Sequence, residues 1–296
     1  RILILDEISD CTNAVEKLLA CNVSDIFRYI ILISSKPVVI KSENIRQLAV
    51  YPLSFDEFLI ASGNDWYIDT IVTHFNMDKK IPEIVHKELL ELNQLYLRIG
   101  GMPGVINEYL NLCSTINVSE IHKLFTSLYR DNISRIATES EAFKMLQVYD
   151  SLAVQLAKEN KKFQYKLIRK GTTHAMYKDA IQKLCDDYYV IRCSRVSNQQ
   201  VQNISNTFTT NDWQSIESNT HFKLYLPDTG VLYTQIQSTF GQSLNRHQYK
   251  AILENYVAAS LAAKNYRFAF WESESMSKID FIYLKDDLIL PVEIFD

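Results

Sequence analysis

Arg1-Ile-Leu-Ile-Leu-Asp-Glu7 is the stretch on which the reading of this 296-residue chain turns. Its continuous apolar run, Ile2 to Leu5, reads as a strand buried on both faces, with Asp6 and Glu7 at the carboxyl end. A helix-compatible stretch follows from about Thr12 to Asp25. A second apolar run, Tyr29 to Ile33, ends in Ser34-Ser35. This spacing suits a strand, a crossover helix and a parallel strand. Open parallel sheets bind ligands beyond the carboxyl ends of their strands, so Asp6, Glu7, Ser34 and Ser35 share one edge as the first candidate site. The expected fold class is α/β, in several domains.

Working outward, Ile45 to Val50 reads as a third strand. Pro52 breaks it, and Ser54 is placed to cap the helix that begins in Tyr51-Pro-Leu-Ser-Phe-Asp-Glu-Phe58. Helical patterns run on to Cys113, punctuated by Gly100-Gly101-Met102-Pro103-Gly104. Glycine ends one helix there and proline suits the first turn of the next, giving helices over Pro82–Ile99 and Gly104–Leu112. Residues Ser119 to Val196 are mainly helical. The clearest helix, Thr173 to Tyr188, carries Tyr177, Ala180, Ile181, Leu184 and Tyr188 on one stripe and His174, Lys178 and Gln182 on another. A strand over Tyr189–Ser194 follows, and helices ending in a partly basic one before a β element look like a winged-helix module. Asn198 to Asn219 is a polar loop or linker. Beyond it come a strand, Phe222–Leu226, closed by Pro227-Asp228-Thr229-Gly230, a helix, Tyr249–Lys264, and strands over Tyr266–Trp271, Ile279–Leu284 and Leu288–Phe295. The expected domains are residues 1–60, a helical lid at 61–118, a winged-helix-like segment at 119–197 and an α/β domain at 198–296.

Apolar residues make up 47% of the chain, enough to fill such cores. There is no run of about 18 uncharged apolar residues and no basic stretch leading into an apolar signal region, so a soluble, cytoplasmic protein with no membrane partner is expected. Five scattered cysteines without a C-x-x-C pair suggest neither a disulfide framework nor a zinc ribbon. The six histidines lack ligand spacing, so no structural metal is expected. Net charge is −4, against a protein that coats nucleic acid along its whole surface, yet between Gln155 and Arg195 ten Lys or Arg face four Asp or Glu. Lys161, Lys162, Arg169, Lys170 and Lys178 of this basic segment are candidate contacts to DNA phosphates. A solvated helical face, or one docking on another domain, is the alternative reading.

Four apolar residues followed by Asp-Glu match a Walker B strand, in which the aspartate holds Mg²⁺ and the glutamate polarises the attacking water. An acid that merely caps the next helix is the plainer reading. A phosphate-binding loop needs G-x-x-x-x-G-K-[ST], because backbone N–H groups must wrap the phosphates. None of the seven glycines is followed by lysine, so these 296 residues contain no such loop.

Five ordered motifs, Tyr51–Leu59 (YPLSFDEFL), Gly100–Leu110 (GGMPGVINEYL), Phe222–Leu232 (FKLYLPDTGVL), Glu254–Leu261 (ENYVAASL) and Phe270–Tyr283 (FWESESMSKIDFIY), span most of the chain. Together they resemble the prokaryotic AAA-type ATPases that carry a C-terminal domain of unknown function similar to restriction endonucleases. The resemblance implies part of a P-loop-type parallel core, a winged-helix region and a nuclease-like domain. It also implies ATP and Mg²⁺ as cofactors in the intact family, with Asp6 and Glu7 as the catalytic pair and Asp6 on the metal, and homo-oligomeric assembly. The family's Thr-Gly-Ser sensor reads Ile33-Ser34-Ser35 here, and its arginine position falls on Asn44. Arg46 lies two residues on, which in a strand keeps the same face. Nuclease-like carboxylates map to Glu254, Asp280 and Glu293, but the lysine of the closing E-x-K pattern is replaced by Phe295, so an inactive nuclease-like domain is expected. Asp280 sits beside Lys278, and a plain ion pair at a strand end is the alternative there. Three functions follow in order: a fragment or degenerate relative of such an ATPase, unable to hydrolyse ATP alone; a non-catalytic DNA-binding or scaffold protein; and, last, a metal-dependent nuclease.

Overall fold

A computed structural model describes all residues except 12, 22–25, 37, 39–44, 199, 201–214, 218, 274–276, 286–287 and 296. The fold is α/β, and the chain divides into two compact units. The first comprises Arg1–Ala49 with Asp186–Tyr188, and the second Val50–Cys185 with Tyr189–Asp296.

In the first unit, β1 (Ile2–Leu5) pairs in parallel with β2 (Tyr29–Leu32), in register from Ile2↔Tyr29 to Leu5↔Leu32. A 3₁₀ turn at Ile8–Asp10 and helix α1 (Ala14–Ala20) form the crossover. The last part of the helix expected to reach Asp25 lies outside the described residues, as does Asn44. Two expectations are corrected. The strands are not buried on both faces: Ile2 and Ile4 are 58% and 59% exposed, and Tyr29 and Ile31 are exposed as well. Among the described residues the sheet of this unit has two strands, too few to bury β-branched side chains on either side. Ile45–Val50 forms no strand; its Leu48 and Val50 are exposed, without the pairing and burial that hold a strand.

The second unit starts with α2 (Phe55–Ala61), entered through a capping box in which Ser54 accepts from the Glu57 N–H and Glu57 accepts from the Ser54 N–H. Helices α3 (Trp66–Asn76), α4 (Glu83–Ile99), α5 (Pro103–Leu112), α6 (Val118–Ile136), α7 (Glu139–Leu156) and α8 (His174–Asp186) follow. Strands β3 (Ile191–Val196) and β4 (Phe222–Tyr225) precede α9 (Thr229–Phe240) and α10 (Arg246–Ala263). Strands β5 (Phe268–Glu272), β6 (Lys278–Lys285) and β7 (Leu288–Val292) close the chain.

These five strands form one sheet in the order β4-β3-β5-β6-β7, with β3 and β5 parallel and the other neighbours antiparallel. The strand expected to end a winged-helix segment is therefore an interior strand of the sheet. Helix α9 has no counterpart among the expected elements; Asp228, which closes the strand before it, also caps this helix by accepting from the Val231 N–H at 2.8 Å.

The main core draws Met145, Tyr149 and Leu152 of α7, Leu184 of α8, Ile236 of α9 and Ile252 of α10 together with Phe222, Tyr225 and Phe281 of the sheet. A smaller cluster of Val196, Ala269, Ile282 and Ile216 lies apart from it. Ile216 belongs to the polar stretch expected as a linker, and Asn198 at its other end accepts from the Trp271 indole N–H at 2.7 Å. Both described ends of that stretch are therefore pinned to the sheet. Among the described residues no helix is long and apolar enough to cross a membrane.

Candidate functional site

Parallel pairing in the first unit brings the ends of β1 and β2 side by side. Beyond them the ladder continues, with Ile33 N–H donating to Leu5 O at 2.9 Å and Ile8 N–H to Ile33 O at 3.1 Å. Between these bonds Glu7 takes φ 50°, ψ 47°, a left-handed conformation that side-chain-bearing residues adopt uncommonly and that Asp78, Cys113, Tyr188 and Asn265 share here. Glu7 Oε2 accepts from the Ser35 hydroxyl at 2.8 Å and the Ser35 N–H at 3.3 Å. Asp6 is exposed and accepts from the Glu7 N–H at 3.0 Å. Ser34 turns elsewhere, its hydroxyl donating to Lys36 O at 2.7 Å. Of the four residues placed at this edge, Glu7 and Ser35 are directly joined. Arg46 is exposed in irregular backbone, so the argument that a shift of two residues keeps its face does not apply.

The carboxylates named for nuclease chemistry have other partners. Glu254 of α10 is 2% exposed, and Lys161 lies 3.2 Å from its Oε1. Lys223 of β4 lies 3.2 Å from Oε2, which also accepts from the Tyr225 hydroxyl at 3.0 Å. Burial alone would raise the Glu254 carboxyl, but the ammonium groups of Lys223 and Lys161 outweigh it and hold it below its ordinary value. Burial lowers Lys161 despite its acidic partner. The Lys223 ammonium also sits over the Phe270 ring, 4.9 Å from its centroid. Nearby, burial pushes the Cys193 thiol up to about 12.

Asp280 of β6 is paired, but not with Lys278. Its Oδ2 lies 3.3 Å from Lys250 Nζ of α10 and accepts from the Ile294 N–H at 3.1 Å. Asp280 is buried whereas Lys278 ends an exposed strand terminus, so the helix supplies the cation. Glu293 is exposed past the end of β7. Among the described residues no group of three or more His, Cys, Asp or Glu is arranged to hold a metal ion. The fold thus brings Glu254 and Asp280 onto neighbouring lysines and leaves Glu293 outside.

The basic segment divides in the same way. Lys161 is 5% exposed and committed to Glu254, so it cannot reach a phosphate, and Lys162 lies 2.8 Å from Glu272. Arg169, Lys170 and Lys178 are exposed.

Four of the five sequence motifs meet around Gly101. Its carbonyl accepts from Leu53 N–H at 2.8 Å, and its own N–H donates to Asp228 Oδ2 at 2.7 Å. A Cβ at Gly101 would lie 2.1 Å from Leu53 O, and one at Gly230 2.5 Å from Ile99 O, so glycine is required at both. Asn255 clamps the third motif, accepting from Leu226 N–H at 2.8 Å and donating to Leu226 O at 3.0 Å. His122 of α6, which no sequence signal distinguished, lies fully buried. Its Nε2 pairs with Ile99 O at 2.9 Å and its Nδ1 with the Thr234 hydroxyl at 2.7 Å.

A family model described as a domain of unknown function, DUF8612, matches residues 90–243, just over half of the chain. The chain belongs to the DUF8612 family. No curated protein and no solved structure matches it. The DUF8612 region runs from within α4 to just past α9 and contains Gly101, His122, Lys161, Lys223 and Asp228. Asp6, Glu7, Glu254, Asp280 and Glu293 lie outside it. Within the DUF8612 region, burial lowers His122, and a carbonyl partner at Nε2 with a hydroxyl at Nδ1 suits a neutral ring. Burial raises the Asp228 carboxyl, outweighing the backbone N–H groups of Val231, Gly101 and Gly230 that favour its charged form.

Proposed function

We propose that residues 1–49 supply the metal- and water-organising edge of an AAA-type ATPase site, and that the five-stranded sheet is a nuclease-like domain without nuclease chemistry. The hydrogen bond from the Ser35 hydroxyl to Glu7 Oε2 carries the first part. It holds a strained glutamate at the carboxyl edge of two parallel strands, beside an exposed aspartate, which is where ligands of open parallel sheets lie.

Asp6 offers the hard oxygen that Mg²⁺ prefers, and would hold the ion together with substrate phosphates and water. Bound ATP and Mg²⁺ would bring the transferable phosphoryl group and neutralise its charge. The chain's own task is to hold the metal at Asp6 and orient a water at Glu7, with Ser35 fixing the carboxylate. Because these 296 residues contain no G-x-x-x-x-G-K-[ST] loop, the phosphates must be gripped by other polypeptide, and this chain alone does not turn over ATP. The exposed apolar faces of β1 and β2 are consistent with a wider sheet. Homo-oligomeric assembly, as in AAA-type proteins, belongs to the same proposal.

The second part rests on Glu254, whose two oxygens are already occupied by Lys161, Lys223 and Tyr225. The test of the first part is Mg²⁺-dependent ATP binding by the polypeptide of the complete reading frame. Asp6→Asn should abolish the Mg²⁺ dependence. A complete product without a phosphate loop that does not bind ATP would overturn the reading.

A further inference from the structure

We infer that the turn joining α7 to α8 is a docking surface for the phosphate backbone of double-stranded DNA, formed by Lys166, Arg169, Lys170 and Lys178. The structure narrows the basic segment by engaging five of its ten basic residues elsewhere, while Lys158, which is also exposed, stands beside Glu159 directly after α7. Lys161 and Lys162 are paired with Glu254 and Glu272. Lys183 donates to Ile136 O at 3.2 Å. Arg192 donates to Asn219 O at 2.7 Å and lies over the Phe222 ring, while Arg195 donates to Glu272 O at 2.7 Å. Lys166, Arg169, Lys170 and Lys178 are exposed and form no ion pair among the described residues. Between Glu159 and Asp179 the sequence has no acid to neutralise them.

The turn that carries three of these charges is held rigid. The Thr172 hydroxyl donates to Tyr165 O at 2.5 Å and to Arg169 O at 2.8 Å, and Ile168 N–H donates to Tyr165 O at 3.0 Å. Rings then run inward from His174 edge-to-face onto Tyr165, edge-to-face onto Phe163 and stacked onto Phe222 of β4, at centroid separations of 5.9, 5.2 and 5.4 Å. A phosphate contact made from a preformed turn costs little ordering entropy. Lys178 stands one turn after His174 in α8.

The aromatic residues decide the class of partner. Single strands are held by exposed rings on which bases stack. Here Phe163, Tyr165 and His174 pack edge-to-face on one another and Phe163 stacks on Phe222, so these rings are engaged within the protein and the charged turn offers bases no ring face of theirs. That is the chemistry of sequence-independent duplex backbone contact.

The test uses this chain and a fluorescent random-sequence DNA duplex of about 20 base pairs, with binding followed by anisotropy across salt concentrations. Four phosphate contacts predict affinity falling on the order of a hundredfold between about 50 and 200 mM salt. Replacing both Arg169 and Lys170 by Gln should lower the magnitude of the log–log salt slope by about 2, while Lys123→Gln on α6 leaves it unchanged. Circular dichroism confirms that the variants remain folded. Absence of duplex binding at low salt, equal loss with Lys123→Gln, no response to the double substitution, or tighter binding to single-stranded DNA or RNA would each overturn the inference.

Discussion

Asp228 accepts a hydrogen bond of 2.7 Å from the Gly101 N–H across 127 residues of sequence, joining the corner after α4 to the cap of α9. Both groups are buried, and the same carboxylate accepts from Val231 N–H at 2.8 Å. One side chain thus terminates one helix packing and starts another, which is why two distant motifs fold as a single joint.

Asp228→Asn leaves one carbonyl oxygen and places an NH₂ group against backbone donors. We expect a loss of about 2–3 kcal/mol, read from the urea midpoint at constant m value. A variant within about 0.5 kcal/mol of the parent would mean that the junction is not structural.

Gly230→Ala must push a Cβ into Ile99 O, 2.5 Å away, whereas a Cβ at Gly171 meets nothing within 4 Å. The first substitution should destabilise by roughly 3 kcal/mol or more, the second by about 1 kcal/mol because of its positive φ. Thermal melts of the two proteins side by side distinguish the steric from the conformational cost.

Glu254→Gln would leave the ammonium groups of Lys161 and Lys223 buried without a carboxylate. A loss of about 3–5 kcal/mol is expected, partly recovered when Lys223→Met is added. Additive losses in this double-mutant cycle would contradict the pairing.

His122 titrates lower folded than the ordinary 6.5 of an unfolded histidine, because it is buried. The unfolded chain therefore binds the extra proton, and the stability this residue confers is complete above that value and lost as pH falls below it. Asp228, raised by burial, works in the opposite direction, favouring the fold under acid conditions. The loss of melting temperature between about pH 7.5 and 5.5 should therefore be smaller in His122→Gln than in the parent.

Local features were legible in the sequence. The Ser54 cap and the Gly100–Gly104 corner rest on a few adjacent residues, and the parallel pairing of β1 with β2 on two apolar runs at a spacing that fits a crossover. The helix at Thr229 carries its own signal, an Asp cap followed by Val231, Leu232 and Ile236, but the same Pro-Asp-Thr-Gly run is equally the chemistry of a strand end. Ile45–Val50 has strand composition without a strand, since β propensity acts only where neighbours supply pairing and burial. The partners of Glu254 and Asp280 were illegible because sequence shows which charges exist but not which helix covers a strand. Lys161 thus read as a phosphate contact, although folding buries it as a counter-ion.

In the proposed function Glu7, held by Ser35, orients the water that attacks ATP. That role is tested most directly by comparing ATP binding and steady-state hydrolysis in the complete polypeptide with and without Glu7→Gln. Nucleotide binding should be retained while turnover falls by about 100-fold or more. Hydrolysis by the variant at the parent rate would contradict it.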